Sequence, residues 1–213
     1  MDEKLKLYEE KNPNQLSPQQ FDLIRRDLES TKVTKSDEYF DFILWCENMP
    51  SRQAGFLNYL KKISFLQKDD HILEVGCGTQ ARLSALLNEE GYNVTSIDPK
   101  LNLEICKWKG IKDVFDYHTF DLNPFDCVIA QEPCDATEHI VRACMEKKIP
   151  FVIALCATPH QHIDGYMDDE AFDWYTYLYH LTQNQSSLQY VSLSEYSMNA
   201  ILILTRENIR LLK

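Results

Sequence analysis

The sequence predicts an α/β fold in which helices flank a mostly parallel sheet, with an antiparallel C-terminal strand and a helical N-terminal extension. Three observations support this. From about residue 67 onward, short apolar runs alternate with helix-like segments. Only residues 194–199 separate the last two apolar runs, too few for a crossover helix, so those strands should pair antiparallel. Residues 1–66 show helical spacing of apolar side chains instead.

The N-terminal extension contains three helix-like stretches. Ser17-Pro18 provides a capping residue and a proline suited to a first helical position. A second helix is expected from Ser36, and a third after Pro50-Ser51. The third helix would bury one face, made of Phe56, Leu57, Leu60 and Ile63. We therefore expect a helical cap over 1–66 and a Rossmann-like domain over 67–213.

The second part of the chain contains the sheet. Strands are predicted at 71–75, 93–97, 126–130, 150–156, 188–193 and 200–205, with a weaker candidate at 111–117. Helices are predicted at 80–90, 102–109, 135–147 and 168–182. This order places helices on both faces of the sheet.

Composition and charge limit the class of protein. The net charge of -11 does not favour a nucleic-acid-binding surface, although it leaves a local basic patch possible. The seven cysteines form no CxxC pair, so they predict reduced thiols in a cytoplasmic protein rather than a disulfide framework or a zinc site. No apolar run approaches the ~20 residues of a membrane helix.

The strongest motif runs from His71 through Glu74-Val-Gly76-Cys-Gly78 and continues to Asp98. Each of two strand-like runs ends near an acid, and glycines follow the first acid. Parallel strands deliver both acids to the same sheet edge, where glycines allow a ligand to approach the backbone and Asp98 can accept hydrogen bonds from ribose hydroxyls. The pattern indicates a cofactor that contains adenosine.

This stretch resembles motif I of the class I S-adenosylmethionine-dependent methyltransferases, whose sheet has the predicted Rossmann-like form. The resemblance implies S-adenosylmethionine as cofactor. It further implies that Gly76, Cys77 and Gly78 form the loop beneath its methionine part, that Asp98 holds the ribose, and that Glu74 organises the loop and the cofactor's amino end. The adenine is expected near the end of the third strand, in residues 115–121, where Phe120 is a candidate contact.

A dinucleotide site is the alternative interpretation of the same residues. Gly76-x-Gly78-x-x-Ala81 fits the GxGxx(G/A) fingerprint, and Asp98 lies twenty residues after Gly78. However, an acid directly before the glycines would repel a pyrophosphate. The antiparallel C-terminal pair also suits a methyltransferase. A nicotinamide-dependent oxidoreductase is therefore the less favoured function.

A second segment, Pro133-Cys-Asp-Ala-Thr-Glu138 followed by Phe151 to Ala157, is similar to a methyltransferase-like group with an Ala-Thr-Glu or Ala-Thr-Asp helix start after strand four. The chain departs from that group at Gln131-Glu132 and at 155–157. Because the end of strand four borders the transferable methyl group, Gln131 is a candidate cofactor contact and Glu132 a candidate catalytic base. Asp135 and Glu138 fit a capping box at the helix start.

The predicted function is methyl transfer to an unidentified acceptor, with a small molecule, a protein and RNA as the candidate classes. A module that binds S-adenosylmethionine without catalysis remains the alternative from another class. The loop after strand five holds two histidines and an acid, His160, His162 and Asp164, but they do not form a convincing ligand set at defined spacing, so no metal is expected. The sequence leaves the oligomeric state open.

Overall fold

A computed structural model describes residues 52–156, residue 163, and residues 171–194 and 197–210. The helices predicted before residue 50 and most of the loop after strand five lie outside the described residues. Within the predicted cap, the described part is the helix that follows Pro50-Ser51. A domain boundary at residue 66 stays a prediction.

The described chain contains five α-helices, one 3-10 turn and seven strands. The helices are α1 (Arg52–Lys62), α2 (Arg82–Glu89), α3 (Ala136–Lys147), α4 (Ala171–Leu181) and the short α5 (Arg206–Ile209), with the 3-10 turn at Leu103–Ile105. The strands are β1 (His71–Val75), β2 (Asn93–Ile97), β3 (Lys109–Ile111), β4 (Cys127–Gln131), β5 (Phe151–Ala154), β6 (Ser187–Ser194) and β7 (Ser197–Leu204).

All seven strands form one sheet in the order β3-β2-β1-β4-β5-β7-β6. The strands β1 to β5 are parallel, whereas β7 is antiparallel to both β5 and β6. The chain reverses its direction of progress across the sheet between β1 and β4. In open α/β sheets, ligands bind at such a switch point, outside the carboxyl ends of the strands.

Alternate residues of the central strands supply two hydrophobic cores. Leu73 and Val128 face the core that contains α3 and α4, where Trp174 is 1% exposed. Ile72 and Ile129 face the opposite core, which contains α1 and α2. Because successive strand side chains point to opposite faces, central strands buried on both sides are continuously apolar.

Most predicted elements are confirmed, and β1 and β2 coincide with the predicted residues. The helix after Pro50 is also confirmed, with Phe56, Leu57 and Leu60 buried on its inner face. The strand predicted at 111–117 is wrong, because β3 covers only Lys109–Ile111. The helix predicted at 102–109 is likewise wrong, since only one 3-10 turn forms there.

No membrane-spanning helix is expected from the sequence. Within the described ranges, no helix has the length and apolar character needed to cross a membrane.

Candidate functional site

The loop after β1 begins with a glycine that is tightly packed. Gly76 has φ +71°, and its N–H donates to the carbonyl of Ile97 at 2.9 Å. A Cβ on Gly76 would lie 2.8 Å from Cβ and 2.9 Å from Cα of Pro133. Both the left-handed backbone and this approach require glycine. The loops that follow β1 and β4 are therefore in contact at the switch point.

Asp98 joins the two halves of the predicted motif. Its Oδ2 accepts the Gly78 N–H at 2.9 Å, and its Oδ1 accepts the Lys100 N–H at 2.7 Å. Gly78 has φ +68°, and a Cβ there would meet nothing within 4 Å. Two carboxylate oxygens offer about four acceptor positions. Asp98 can therefore hold the loop and still accept hydrogen bonds from a ligand.

The space beside this loop is an open cleft of about 250 Å³. Five of the predicted cofactor-binding residues line it: Glu74, Gly76, Cys77, Gly78 and Gln131. The other lining residues are Gln53 and residues 79–83. The structure thus brings the glycine loop and the end of β4 to one cavity, which is bordered by the first turns of α1 and α2.

Glu74 is a buried acid at the end of a row of hydrogen bonds. Trp108 Nε1 donates to Ser96 Oγ at 2.6 Å, and Ser96 Oγ donates to Ser84 Oγ at 2.6 Å. Ser84 Oγ in turn donates to Glu74. Burial raises the pKa of Glu74 to about 7, opposed by the hydrogen bonds from Ser84 and assisted by the charge of Asp98. Glu74 can therefore change its charge near neutral pH.

Cys77 lies in the wall of the cleft. Burial raises the pKa of its thiol well above the ordinary value, and the negative charges of Glu74 and Asp98 raise it further. The thiolate, not the thiol, is the nucleophilic form of cysteine. Cys77 is therefore a neutral, unreactive wall of the cleft at physiological pH.

The end of β4 is tied to the first turn of α1. Gln131 Nε2 donates to the Arg52 carbonyl at 3.1 Å, and Arg52 Nη2 forms an ion pair with Glu132 Oε1. Glu132 has φ +52° and Cys134 φ +51°, so left-handed residues flank Pro133. Glu132, the predicted catalytic base, therefore has its carboxylate engaged by a guanidinium in this structure.

Phe120, the predicted adenine contact, is half-buried and packs among other aromatic rings. Its ring centroid lies 5.0 Å from that of Phe115 and 6.1 Å from that of Phe125. It does not line the cleft described above. Its role towards adenine stays a prediction.

The predicted capping box at the start of α3 is wrong. Asp135 precedes the helix in αR conformation, and its side chain makes no capping hydrogen bond. The Glu138 carboxylate, 1% exposed, instead accepts from Arg142 Nε at 2.7 Å, from Tyr177 OH at 2.7 Å and from the Ile163 N–H at 2.9 Å. A buried carboxylate needs hydrogen-bond partners. Glu138 has them on α3, on α4 and in the loop after β5, so it does not bond to the backbone at the start of its own helix.

Sequence reasoning missed three polar residues at the cleft: Arg52, Gln53 and Arg82. Arg82 is exposed at the start of α2 and lines the cleft, where its guanidinium can meet an anionic ligand group. Gln53 lines the cleft from α1. The available signal was position alone, since both helix starts face the carboxyl edge of the sheet.

The described part of the chain holds no group of three or more metal-binding side chains. Six described cysteines are free thiols, of which Cys127 and Cys144 are buried. His160, His162 and Asp164 lie outside the described residues.

Comparison with known proteins gave matches at the level of structure. No protein-family profile matches the chain, and no curated protein matches it in sequence. Magnesium protoporphyrin IX methyltransferase from Synechocystis, solved with bound SAM, matches 86% of this chain and 96% of its own with 14% identity and a TM-score of 0.50. The fold is therefore the Rossmann-like fold of the class I methyltransferases.

Two further matches have lower scores. The 1,6-didemethyltoxoflavin-N1-methyltransferase of Burkholderia thailandensis matches 88% of this chain and 89% of its own, with 13% identity and a TM-score of 0.47. The bifunctional kinase-methyltransferase WbdD matches 74% of this chain with 11% identity and a TM-score of 0.46. The match spans only 39% of the WbdD chain.

Proposed function

We propose that this protein is an S-adenosylmethionine-dependent methyltransferase that acts on an acceptor still to be identified. One observation carries the proposal: Asp98 accepts the Gly78 N–H at 2.9 Å beside a cleft at the topological switch point. A ligand in this cleft would meet the glycine loop. Asp98 does not itself line the cleft, but it is one hydrogen bond away from the Gly78 wall, where a strand-end carboxylate suits an adenosine-containing cofactor. The fold shared with a methyltransferase that binds SAM supports this choice.

The lining residues suit the separate parts of that cofactor. The free acceptor positions of Asp98 would accept hydrogen bonds from ribose hydroxyls, and the glycine loop of Gly76, Cys77 and Gly78 would support the methionine part. Glu74, buried in the cleft wall, attracts the amino group in its ionised form. Arg82 supplies a cation for the carboxylate of the methionine part. Gln131 lies at the methyl end, and Phe120 stays the candidate on the adenine side.

The bound cofactor supplies an activated methyl group on a sulfonium. The chain's contribution is to align the acceptor with that methyl and to exclude water. Glu132 would take the proton that the acceptor loses, once its carboxylate leaves Arg52. Without an acceptor, the Glu132 carboxylate is paired with Arg52. Glu132 would therefore become available as a base only when acceptor binding breaks this ion pair.

Calorimetry with purified protein tests the proposal. We expect S-adenosylmethionine and S-adenosylhomocysteine to bind at micromolar Kd, about -8 kcal/mol, and NAD to bind at least about 100-fold more weakly. In its ionised form Glu74, two residues before Gly76, disfavours a pyrophosphate, which is why NAD is the informative competitor. Equal or tighter NAD binding would replace the proposal with an oxidoreductase.

A non-catalytic module that binds S-adenosylmethionine is the second candidate function. The engagement of Glu132 by Arg52 favours it, because that pair leaves the predicted base occupied. Both functions predict cofactor binding, but only the methyltransferase releases S-adenosylhomocysteine. Incubating the protein with S-adenosylmethionine and acceptor candidates, and measuring S-adenosylhomocysteine by mass spectrometry, separates them.

A further inference from the structure

Arg52 makes a one-sided ion pair beside the cleft. Its Nη2 donates to Glu132 Oε1, whereas its Nε is buried and has no partner among the described residues. The Nε and Nη2 hydrogens of arginine form one edge of a planar fork that matches the two oxygens of a carboxylate. Glu132 therefore occupies half of this fork.

A buried acceptor atom without a partner lies next to this fork. Gln131 Nε2 donates to the Arg52 carbonyl at 3.1 Å, and Gln131 Oε1 is buried and unpaired within the described ranges. The orientation of the amide follows from chemistry, because a carbonyl only accepts and must face the NH2 group. Gln131 also lines the cleft. Gln131 and Arg52 are thus joined through the Arg52 carbonyl, and each has one buried polar side-chain atom without a partner among the described residues.

We infer that the methyl acceptor carries a carboxylate, which replaces Glu132 on the Nε–Nη2 edge of Arg52, and a neighbouring O–H or N–H group, which donates to Gln131 Oε1. This inference rests on the proposed function. It explains both unpaired atoms, since buried polar groups in folded proteins are normally paired. It also identifies Arg52 as an acceptor-binding residue.

Charge supports a monoanion as the replacement. The protein has a net charge of -11, so an anion binds only where a specific cation receives it. A carboxylate replaces the Glu132 carboxylate one for one and leaves the charge beside Arg52 unchanged. The side chain of Arg52 is 36% exposed as a whole, whereas its Nε is buried, so the incoming carboxylate reaches the full edge only as Glu132 leaves. The displaced Glu132 is then free of Arg52 and can turn towards the group of the acceptor that loses a proton.

Glycolate is a suitable probe because it places a hydroxyl next to a carboxylate. We would titrate glycolate, with neutral glycolamide as its control, into protein saturated with S-adenosylhomocysteine, and follow binding by saturation-transfer NMR. The variants are Arg52→Gln and Glu132→Gln. The matched control, Lys61→Gln, removes another cation from α1 that pairs with Glu90 at 2.9 Å.

The inference predicts a particular order of affinities. Glu132→Gln should bind glycolate at least about threefold more tightly than the wild type, because the internal competitor is weakened. Arg52→Gln should lose at least about tenfold. Lys61→Gln should match the wild type, and glycolamide should bind none of them. Equal glycolate affinity in all four proteins, or no binding even to Glu132→Gln, overturns the inference and assigns Arg52 to holding α1.

A second measurement excludes the cofactor as the source of the carboxylate. S-adenosylhomocysteine has a carboxylate, whereas 5′-methylthioadenosine lacks it. The inference predicts that Arg52→Gln changes neither affinity by more than about twofold. A tenfold loss for S-adenosylhomocysteine alone would show that Arg52 holds the cofactor's carboxylate, and the inference would be wrong. If the wild type binds neither compound, the proposed function fails first, and this outcome is distinct from the other two.

Discussion

Replacing Asp98 by alanine removes two hydrogen bonds that do not depend on any ligand. The Gly78 N–H donates to Oδ2 at 2.9 Å in a half-buried place, and the Lys100 N–H donates to Oδ1 at 2.7 Å in an exposed one. A hydrogen bond to a charged group contributes about 1.5–3 kcal/mol, and an exposed one less. We therefore expect Asp98→Ala to lower the free energy of unfolding by about 2–4 kcal/mol while the protein still folds.

The same variant should bind S-adenosylhomocysteine about 10- to 150-fold more weakly, because a charge-assisted bond to ribose is worth about 1.5–3 kcal/mol. Urea unfolding measures the first effect and calorimetry the second. Asp121→Ala is the matched control for stability. Among the described residues, Asp121 accepts only the exposed Asn123 N–H, two residues on, at 3.0 Å, and this bond resembles the one between Asp98 and the Lys100 N–H.

Two results would refute this reasoning. If Asp98→Ala is no less stable than Asp121→Ala, the bond to Gly78 contributes nothing. If a folded Asp98→Ala protein keeps the wild-type affinity, the carboxylate holds the loop but not the cofactor.

Three further predictions concern packing and charge around the cleft. Gly76→Ala should abolish measurable cofactor binding and lower the free energy of unfolding by at least about 2 kcal/mol. The new Cβ would overlap Pro133, and residue 76 has a φ of +71°, which disfavours alanine. Calorimetry measures the binding and urea unfolding the stability. Gly55→Ala should destabilise the protein by about 1–3 kcal/mol despite a better helix propensity, because the new Cβ would overlap the Leu193 carbonyl oxygen; thermal unfolding should show a lower Tm, and an unchanged Tm contradicts it. The pKa of Glu74 is raised from 4.5 to about 7, so the folded protein binds the extra proton and its stability falls as pH rises between these values. The stability of the wild type relative to Glu74→Gln should therefore fall by about 2–4 kcal/mol from pH 5 to pH 8 in urea titrations, and a constant difference would place the pKa elsewhere.

The sequence was sufficient to predict secondary structure where the interactions that determine it are local in the chain or periodic along it. The first two strands are short runs with buried apolar residues that end next to the acids Glu74 and Asp98, so their limits were predictable to the residue. The position of the third strand was predicted wrongly because Phe115, an aromatic residue typical of strands, is buried in a loop and packs against Phe120. A three-residue edge strand at Lys109–Ile111 carries too short a pattern to be recognised.

The site shows the same division between local and distant partners. The glycine loop and Asp98 share one motif, and the bond between Gly78 and Asp98 spans only twenty residues. Arg52 and Glu132 are 80 residues apart, and no local pattern connects them. Glu138 matched the capping pattern, yet Tyr177, 39 residues away, is one of its partners. Such pairs follow from the topology of the sheet, which brings distant chain segments to one edge.

The row of hydroxyls between Trp108 and Glu74 makes the indole ring an optical reporter of the cleft. Trp108 donates to Ser96 at 2.6 Å, and the row of hydroxyls connects it to Glu74, so a change in the charge of Glu74 changes the electric field at the indole N–H. Indole emission responds to such fields. Trp174, the other described tryptophan, is buried in the opposite core, and Trp45 lies outside the described residues, so the difference from a Trp108→Phe variant isolates the response of Trp108. Fluorescence titration of the unlabelled protein would then follow the acid through its pKa and register a cofactor that binds beside it.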